Sequence, residues 1–469
     1  ADGVGGAGGE GGAGGLNRDY GPLVRKTGAM ISLPEGFRYV VIGAAGSEMS
    51  DGHQVPFAHD GMAAFSVPGK KNRVRLLRNH ELSGVGTAIV DDAKSYDPKG
   101  TGAVTLTEWD TETEEVVESF VVLSGTIENC SGGPDHDNRW WLSCEENTDG
   151  VADGYDEDHG YVFAVSADAT GLVKEEPLRA MGRFLHESTA TDPETGVVYM
   201  TEDEGRDCFY RFVPTNRADL REGGTLWALR VTSLEGETVA DNFDTGTGQS
   251  AGITYVASWV QIDDPDPSEP EDPARVVFDQ AQAKGATLFQ GLEGACFHGG
   301  SCFITASDGG DEELGQVWRF TPTSDDEGEL TLLFEASSKS EMDGPDNLCV
   351  APSGRAVVVC EDGDGEDWTD GDDSCRQGGN TFLRVITFDG HVFDLAEVIE
   401  PLDLVKTFPD DFEEDCTADP LPGEGEVFGA SEFAGATFSP DGRWLFVNVQ
   451  YPGVTLAITG PWEKGALGA

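Results

Sequence analysis

Lysine and arginine are scarce in this chain. Together they number 30 against 87 Asp and Glu in 469 residues, a formal net charge of -57. Binding a phosphate backbone takes stripes of cationic side chains, so nucleic acid is excluded as a partner. Anionic membrane surfaces are excluded on the same ground. Long apolar runs are missing too: no stretch approaches the ~18 residues of a membrane-spanning helix. Nor is a Gly-x-Ser-x-Gly nucleophile elbow, a Walker loop or a dinucleotide fingerprint expected.

What is present supports a folded chain. Hydrophobic residues make up 38%, aromatics 9%, and Trp alone contributes 9, enough to bury a core under an acidic skin. Such a skin stays hydrated at high salt, where screening weakens self-repulsion, and it points to a halophilic microbe. Some of the carboxylates are expected to bind hard cations such as calcium. The chain begins Ala1-Asp2-Gly3 without Met, which reads as a processed N-terminus of a secreted, extracellular or periplasmic protein. In an exported chain, 9 cysteines suggest four disulfides and one spare thiol.

Residues 1–15 are rich in glycine and can build no core of their own. Residues 1–20 are therefore expected to form an arm that adds a strand to a neighbouring subunit, giving a homo-oligomer or filament. Residues 21–469 are expected to form the body. Within it, 263–275 is a Pro- and acid-rich loop, followed by a short helix from about Pro273 to Lys284. Elsewhere, short β-branched and aromatic runs alternate with Asp-Gly and Ser-Gly turns, which marks an all-β fold.

One pattern recurs along the body. A short segment with a small residue and an acid leads through a turn to an apolar strand ending in acids or amides. Cys130 to Glu145, Glu187 to Glu202, Glu293 to Asp308 and Asp346 to Glu361 all span 15 residues. Looser copies begin at Asp60 and Glu432. A fixed interval between the start of one strand and the end of the next describes a hairpin, whose two marked residues share one end. Six such hairpins fit a six-bladed β-propeller of about 70 residues per blade. Asp60, Cys130, Glu187, Glu293, Asp346 and Glu432 would then converge on one channel mouth.

Carboxylates crowded in this way repel one another unless cations compensate them. Oxygen ligation suits calcium or magnesium, and a thiolate among the oxygens points to a transition ion such as iron or zinc beside the hard cations. Cys130 is then the unpaired cysteine. Cys296 with Cys302, and Cys349 with Cys360, flank turns and are expected to bridge their hairpins. Cys144 with Cys208, and Cys375 with Cys416, follow by elimination. The acidic stretches Asp149 to Asp158 and Asp362 to Asp373 resemble calcium loops in composition alone. His80 and His186 are read as structural hydrogen-bonders.

Several of these segments resemble the PhoX-type alkaline phosphatase family. They are Asn129-Cys130-Ser131-Gly132-Gly133 with Trp141-Leu142-Ser143-Cys144-Glu145-Glu146, Gly182 to Glu187, Gly344-Pro345-Asp346-Asn347, Arg78-Asn79-His80-Glu81, and Ser439 to Gly442 with Leu445 to Gly453. The resemblance implies a secreted six-bladed propeller that hydrolyses phosphomonoesters at an iron–calcium cluster. It places Cys130 as an axial thiolate on Fe3+ and Glu187 as a bridge. Glu145, Glu146, Glu293, Asp346 and Glu432 would bind iron or Ca2+. Glu187 and Glu293 would organise the reaction, and no protein nucleophile is expected.

The resemblance breaks at the substrate clamp. The family's arginine two residues before the glutamate matched by Glu293 is here Gly291. Its Thr-Pro-Trp run reads Pro134-Asp135-His136-Asp137, and its Gln-His-Pro-Gly reads Gln450-Tyr451-Pro452-Gly453. Two functions follow. One is a phosphomonoesterase acting on small phosphate esters; the other is an extracellular structural or filament subunit that keeps the fold and its calcium.

Overall fold

The computed structural model describes residues 19–90, 93–268, 270–362, 381–398, 432–451 and 453–468. Nearly all of the expected N-terminal arm lies outside these residues, as do Cys375, Cys416 and all but the first residue of the stretch Asp362–Asp373. The fold is all-β, with the expected short helix at Val276–Ala283. No described helix is long and apolar enough to cross a membrane.

Six antiparallel hairpins organise the chain. They are His59–Val67 with Lys70–His80, Asn129–Pro134 with Trp140–Glu145, and His186–Thr191 with Val198–Glu202. Then come Leu292–His298 with Ser301–Ala306, Pro345–Val350 with Ala356–Glu361, and Phe433–Phe438 with Leu445–Val449. Each first strand packs against the first strand of the next hairpin, and the last packs against that of the first. The arrangement is propeller-like.

The second strands show why these residues fold this way. Ala356–Glu361 reads Ala-Val-Val-Val-Cys-Glu and is buried along its whole length. A strand covered on both faces loses the alternation of apolar and polar residues and favours β-branched side chains.

Counted by hydrogen bonds, however, the described residues form five sheets where six separate blades were expected. Thr254–Gln261 pairs with Gly224–Leu234 on one side and Glu327–Glu335 on the other. That strand welds the outer edges of the third and fourth groups into one 10-stranded sheet. It comes from the insertion that also carries the helix. The last sheet is completed by Arg38–Ala44, which pairs with Val454–Thr459.

The core is divided among the gaps between hairpins. Trp109 meets Trp444 and Phe446 edge-on, at centroid distances of 4.8 and 5.7 Å, between the first and last hairpins. Tyr199, Phe209, Trp259 and Phe320 fill the gap between the third and fourth. Burying each such side chain contributes roughly 1.5–3 kcal/mol. Near the axis little room is left: a Cβ on Gly61 would collide with Ser131, and one on Gly133 with the Thr189 carbonyl.

Candidate metal centre

The ladder of every hairpin slips near the head of its first strand. His59 pairs with His80, but the next pair is Met62 with Arg78. The same step separates Asn129–Glu145 from Gly132–Ser143, His186–Glu202 from Thr189–Met200, and Leu292–Ala306 from Ala295–Ile304. It recurs between Pro345–Glu361 and Leu348–Val359, and between Ala434–Asn448 and Thr437–Phe446. Each step leaves two residues opposite one, a bulge, and bulges re-aim side chains. The first bulge residues are Asp60, Cys130, Glu187, Glu293, Asp346 and Gly435.

Five of these six carry ligand atoms, and the fold gathers them. Asp60, Glu81 and Cys130 place their ligand atoms within 4.8 Å of one another, as do Cys130, Glu146 and Glu187, and Glu187, Glu293 and Asp346. Cys130 joins the first two groups, and Glu187 joins the last two. The cluster is therefore one connected body.

Amides stitch it together. Asn347 Nδ2 donates to Asp346 Oδ1 at 2.7 Å and to Glu187 Oε1 at 3.3 Å. Gln450 Nε2 donates to Asp60 Oδ2 at 3.2 Å and to Glu81 Oε2 at 2.6 Å. Ser307 Oγ donates to Glu293 Oε1 at 2.9 Å. Even so, Asp60 Oδ1 and Glu187 Oε2 are buried with no hydrogen-bond partner. Burial pushes the Glu187 carboxyl well up, and the nearby charges of Asp346 and Asp60 push it further. Burial likewise raises the Cys130 thiol, reinforced by Asp60, Glu187 and Glu146.

The profile of the family described as Alkaline phosphatase PhoX matches residues 18–109 and 108–453. The chain belongs to the PhoX alkaline phosphatase family. Among solved structures, Pseudomonas fluorescens PhoX, in complex with the transition-state analogue vanadate, is similar at a TM-score of 0.65. It shares 19% identity over 97% of this chain and 99% of that one. A gluconolactonase from Xanthomonas campestris shares 12% identity over 95% of this chain and 99% of its own, at a TM-score of 0.39. The periplasmic gluconolactonase PpgL from Pseudomonas aeruginosa shares 14% over 92% and 94%, at 0.38. A comparison with curated proteins gave no match.

The motif residues that carry the PhoX likeness divide between two directions. Glu146 joins the cluster, but its neighbour Glu145 points away, because successive side chains of a strand alternate. The Glu145 carboxylate faces His159 Nδ1 at 2.7 Å and accepts from the backbone of Ile127, Gly160 and Tyr161 at 3.1, 3.0 and 3.2 Å. It is a structural anchor, which corrects the expectation of a ligand there. Glu202 follows the same rule, accepting from Cys208 N and Tyr210 Oη, and Glu361 accepts from Arg384. Burial raises the carboxyls of Glu202 and Glu361, each to about 7.

The residues one step further along lie within electrostatic reach of the cluster. The charge of Asp203 presses on Glu146, Glu187 and Glu293, and that of Asp362 presses on Asp346 and Glu432. Glu81, Asp203 and Asp362 were missed as site residues. The signal for them was the second acid of Glu202-Asp203 and Glu361-Asp362, and the end of the Arg78-Asn79-His80-Glu81 motif.

Glu432 reaches this neighbourhood by another route. Its hairpin carries Gly435 at the bulge, with φ 61 and no room for a Cβ against the Asp60 carbonyl. Glu432 precedes the strand, beside Asp362, which explains why this copy of the repeat is loose.

Other expected features stand apart from the PhoX cluster. The seven described cysteines are free thiols. Cys296 pairs in register with Phe303, and Cys302 with Phe297, so their side chains leave opposite faces and cannot bridge. Cys349 lies opposite Val358, not Cys360. Cys144 and Cys208 are separate buried thiols within one apolar cluster. His80 bonds the Phe57 carbonyl at 2.9 Å and Thr105 Oγ1 at 2.8 Å, and His186 bonds the Gly182 carbonyl at 3.0 Å, both structural as expected. In the stretch Asp149 to Asp158 the acids hold their own loop, with Asp153 accepting from Gly150 N and Asp158 from Val151 N. A Gly-x-Ser-x-Gly string does occur at Gly248–Gly252, but it leads into the strand Thr254–Gln261 and not into a helix.

Proposed function

We propose that this chain is a secreted phosphomonoesterase of the PhoX type, a six-bladed propeller with two blades fused at their rims, from a salt-adapted microbe. The reading is carried by one observation: five bulges from distant parts of the chain deliver four carboxylates and a thiol to a single buried cluster. The donor set fits cations. Two buried carboxylate oxygens lack partners, and compensating charge is what such a cluster needs.

Asp60, Glu81, Glu146, Glu293 and Asp346 would hold calcium, and Cys130 with Glu187 would hold iron. When bound, the ions supply neutralisation of phosphoryl oxygens and Lewis-acid activation of water. The chain's own part is placement. Asn347, Gln450 and Ser307 fix the carboxylate rotamers, and the bulges fix the direction of approach.

The test is hydrolysis of p-nitrophenyl phosphate by the full chain, before and after chelation, with elemental analysis of the same preparation. Chelator-sensitive turnover with bound calcium and iron supports the reading. A metal-loaded protein without turnover overturns it in favour of a structural subunit.

A further inference from the structure

We propose that Arg206 is the guanidinium that takes the phosphoryl oxygens of the substrate at the mouth of the cluster. The inference deepens the phosphatase reading and rests on it. Phosphate recognition needs a cation that is free to reach the ligand, and the mouth is built almost wholly from acids. Among the described residues, the turns that follow the second strands of the hairpins hold three cations, Lys94, Lys99 and Arg206. Lys94 is drawn to the Leu172 carbonyl at 3.0 Å and Lys99 to the Gly154 carbonyl and Asp156, both at 2.7 Å, away from the cluster.

Its position is set by three contacts. Asp207 exchanges backbone hydrogen bonds with Phe289 at 3.1 and 3.0 Å. Leu292 N donates to Asp207 Oδ2 at 3.0 Å. Arg275 Nη2 donates to the Arg206 carbonyl at 2.7 Å. The turn is thereby fastened beside Glu293, and Arg206 follows Asp203, whose charge acts on Glu146, Glu187 and Glu293. Three residues span at most ~10 Å of backbone, within reach of an arginine side chain.

The side chain itself is available. Arg206 pairs with Asp244 at 3.6 Å, with the two side chains 60% and 47% exposed. A pair so exposed is weak. A phosphate dianion offers the same guanidinium two parallel, charge-assisted hydrogen bonds, and it displaces Asp244.

The experiment compares the full-length protein with Arg206→Ala and Arg206→Lys. It reads kcat/KM on p-nitrophenyl phosphate and the calorimetric affinity for inorganic phosphate. In Arg206→Ala both are expected to fall ~10–100-fold, the scale of a lost charged hydrogen-bond pair. Arg206→Lys should recover part of the loss, and the melting temperature should not move. If wild type turns over and Arg206→Ala keeps both values, the inference is wrong and the phosphatase reading stands. If wild type does not turn over but binds phosphate through Arg206, the reading fails while the anion site stands. Absence of both turnover and phosphate binding in wild type removes both.

Discussion

Asn347 donates to Glu187 across 160 residues of sequence, at 3.3 Å, from the fifth hairpin to the third. The fourth lies between them in the circuit, so the bond reaches past a neighbouring first strand. The same side chain accepts from Gly435 N at 2.6 Å. One amide thus ties three first strands to a carboxylate pair.

Asn347→Asp keeps the acceptor for Gly435 and replaces the donor with a charge facing Asp346 and Glu187. With cations removed, this variant is expected to unfold more easily than wild type by at least about 1–3 kcal/mol. With cations restored, the gap should narrow. Denaturant unfolding with and without chelator measures both; a gap independent of chelator would disprove the coupling.

Glu187→Gln and Glu145→Gln should behave as opposites, although both residues belong to family-like motifs. The first removes a charge shared by two groups of the cluster and should lose both metal content and activity. The second should retain its metals and lose roughly 1.5–3 kcal/mol of stability, as charged hydrogen bonds to His159 and three backbone groups weaken. Elemental analysis beside thermal melting separates them. Full metal content in Glu187→Gln would end its assignment as the shared ligand.

Gly133→Ala forces a methyl group onto the Thr189 carbonyl of the next first strand. Both partners are backbone, so the strands must part. A loss of about 1–3 kcal/mol or more is expected, on the scale of overpacking, together with weaker cation retention. Calorimetric scanning checks the first and equilibrium dialysis the second.

Burial raises the Tyr20 phenol from its ordinary value to about 12. Its hydroxyl donates to the Trp462 carbonyl at 2.9 Å and accepts from Leu467 N at 3.1 Å. The neutral form is the one the fold prefers. Its contribution is therefore complete below the unfolded value, near pH 10, and disappears as pH rises through 12. Wild type should lose stability across that window faster than Tyr20→Phe. Parallel alkaline denaturation curves for the two proteins would refute this.

Much of the site was legible because the repeat was. Equal spacing in four copies exposed the hairpins, and Asp60, Cys130, Glu187, Glu293 and Asp346 all head the bulges of the folded chain. The bulge itself was not legible. A ladder slip leaves no mark on residue spacing, so the interval selected Glu145, Glu202 and Glu361, which face outward, over Glu146, Asp203 and Asp362. The same blindness to strand faces produced the Cys296–Cys302 bridge. Thr254–Gln261 was hidden for another reason: nothing in a lone strand says which two edges it will join.

Arg38–Ala44 bonds to Val454–Thr459, and Asp60 takes its amide contacts from Asn448 and Gln450. A chain emerging from the ribosome therefore holds its acids long before it can position them, since the amides that contact Asp60 are translated 388 and 390 residues after it. Assembly of the cluster becomes a late event, and a cation held there would report that the circle has shut.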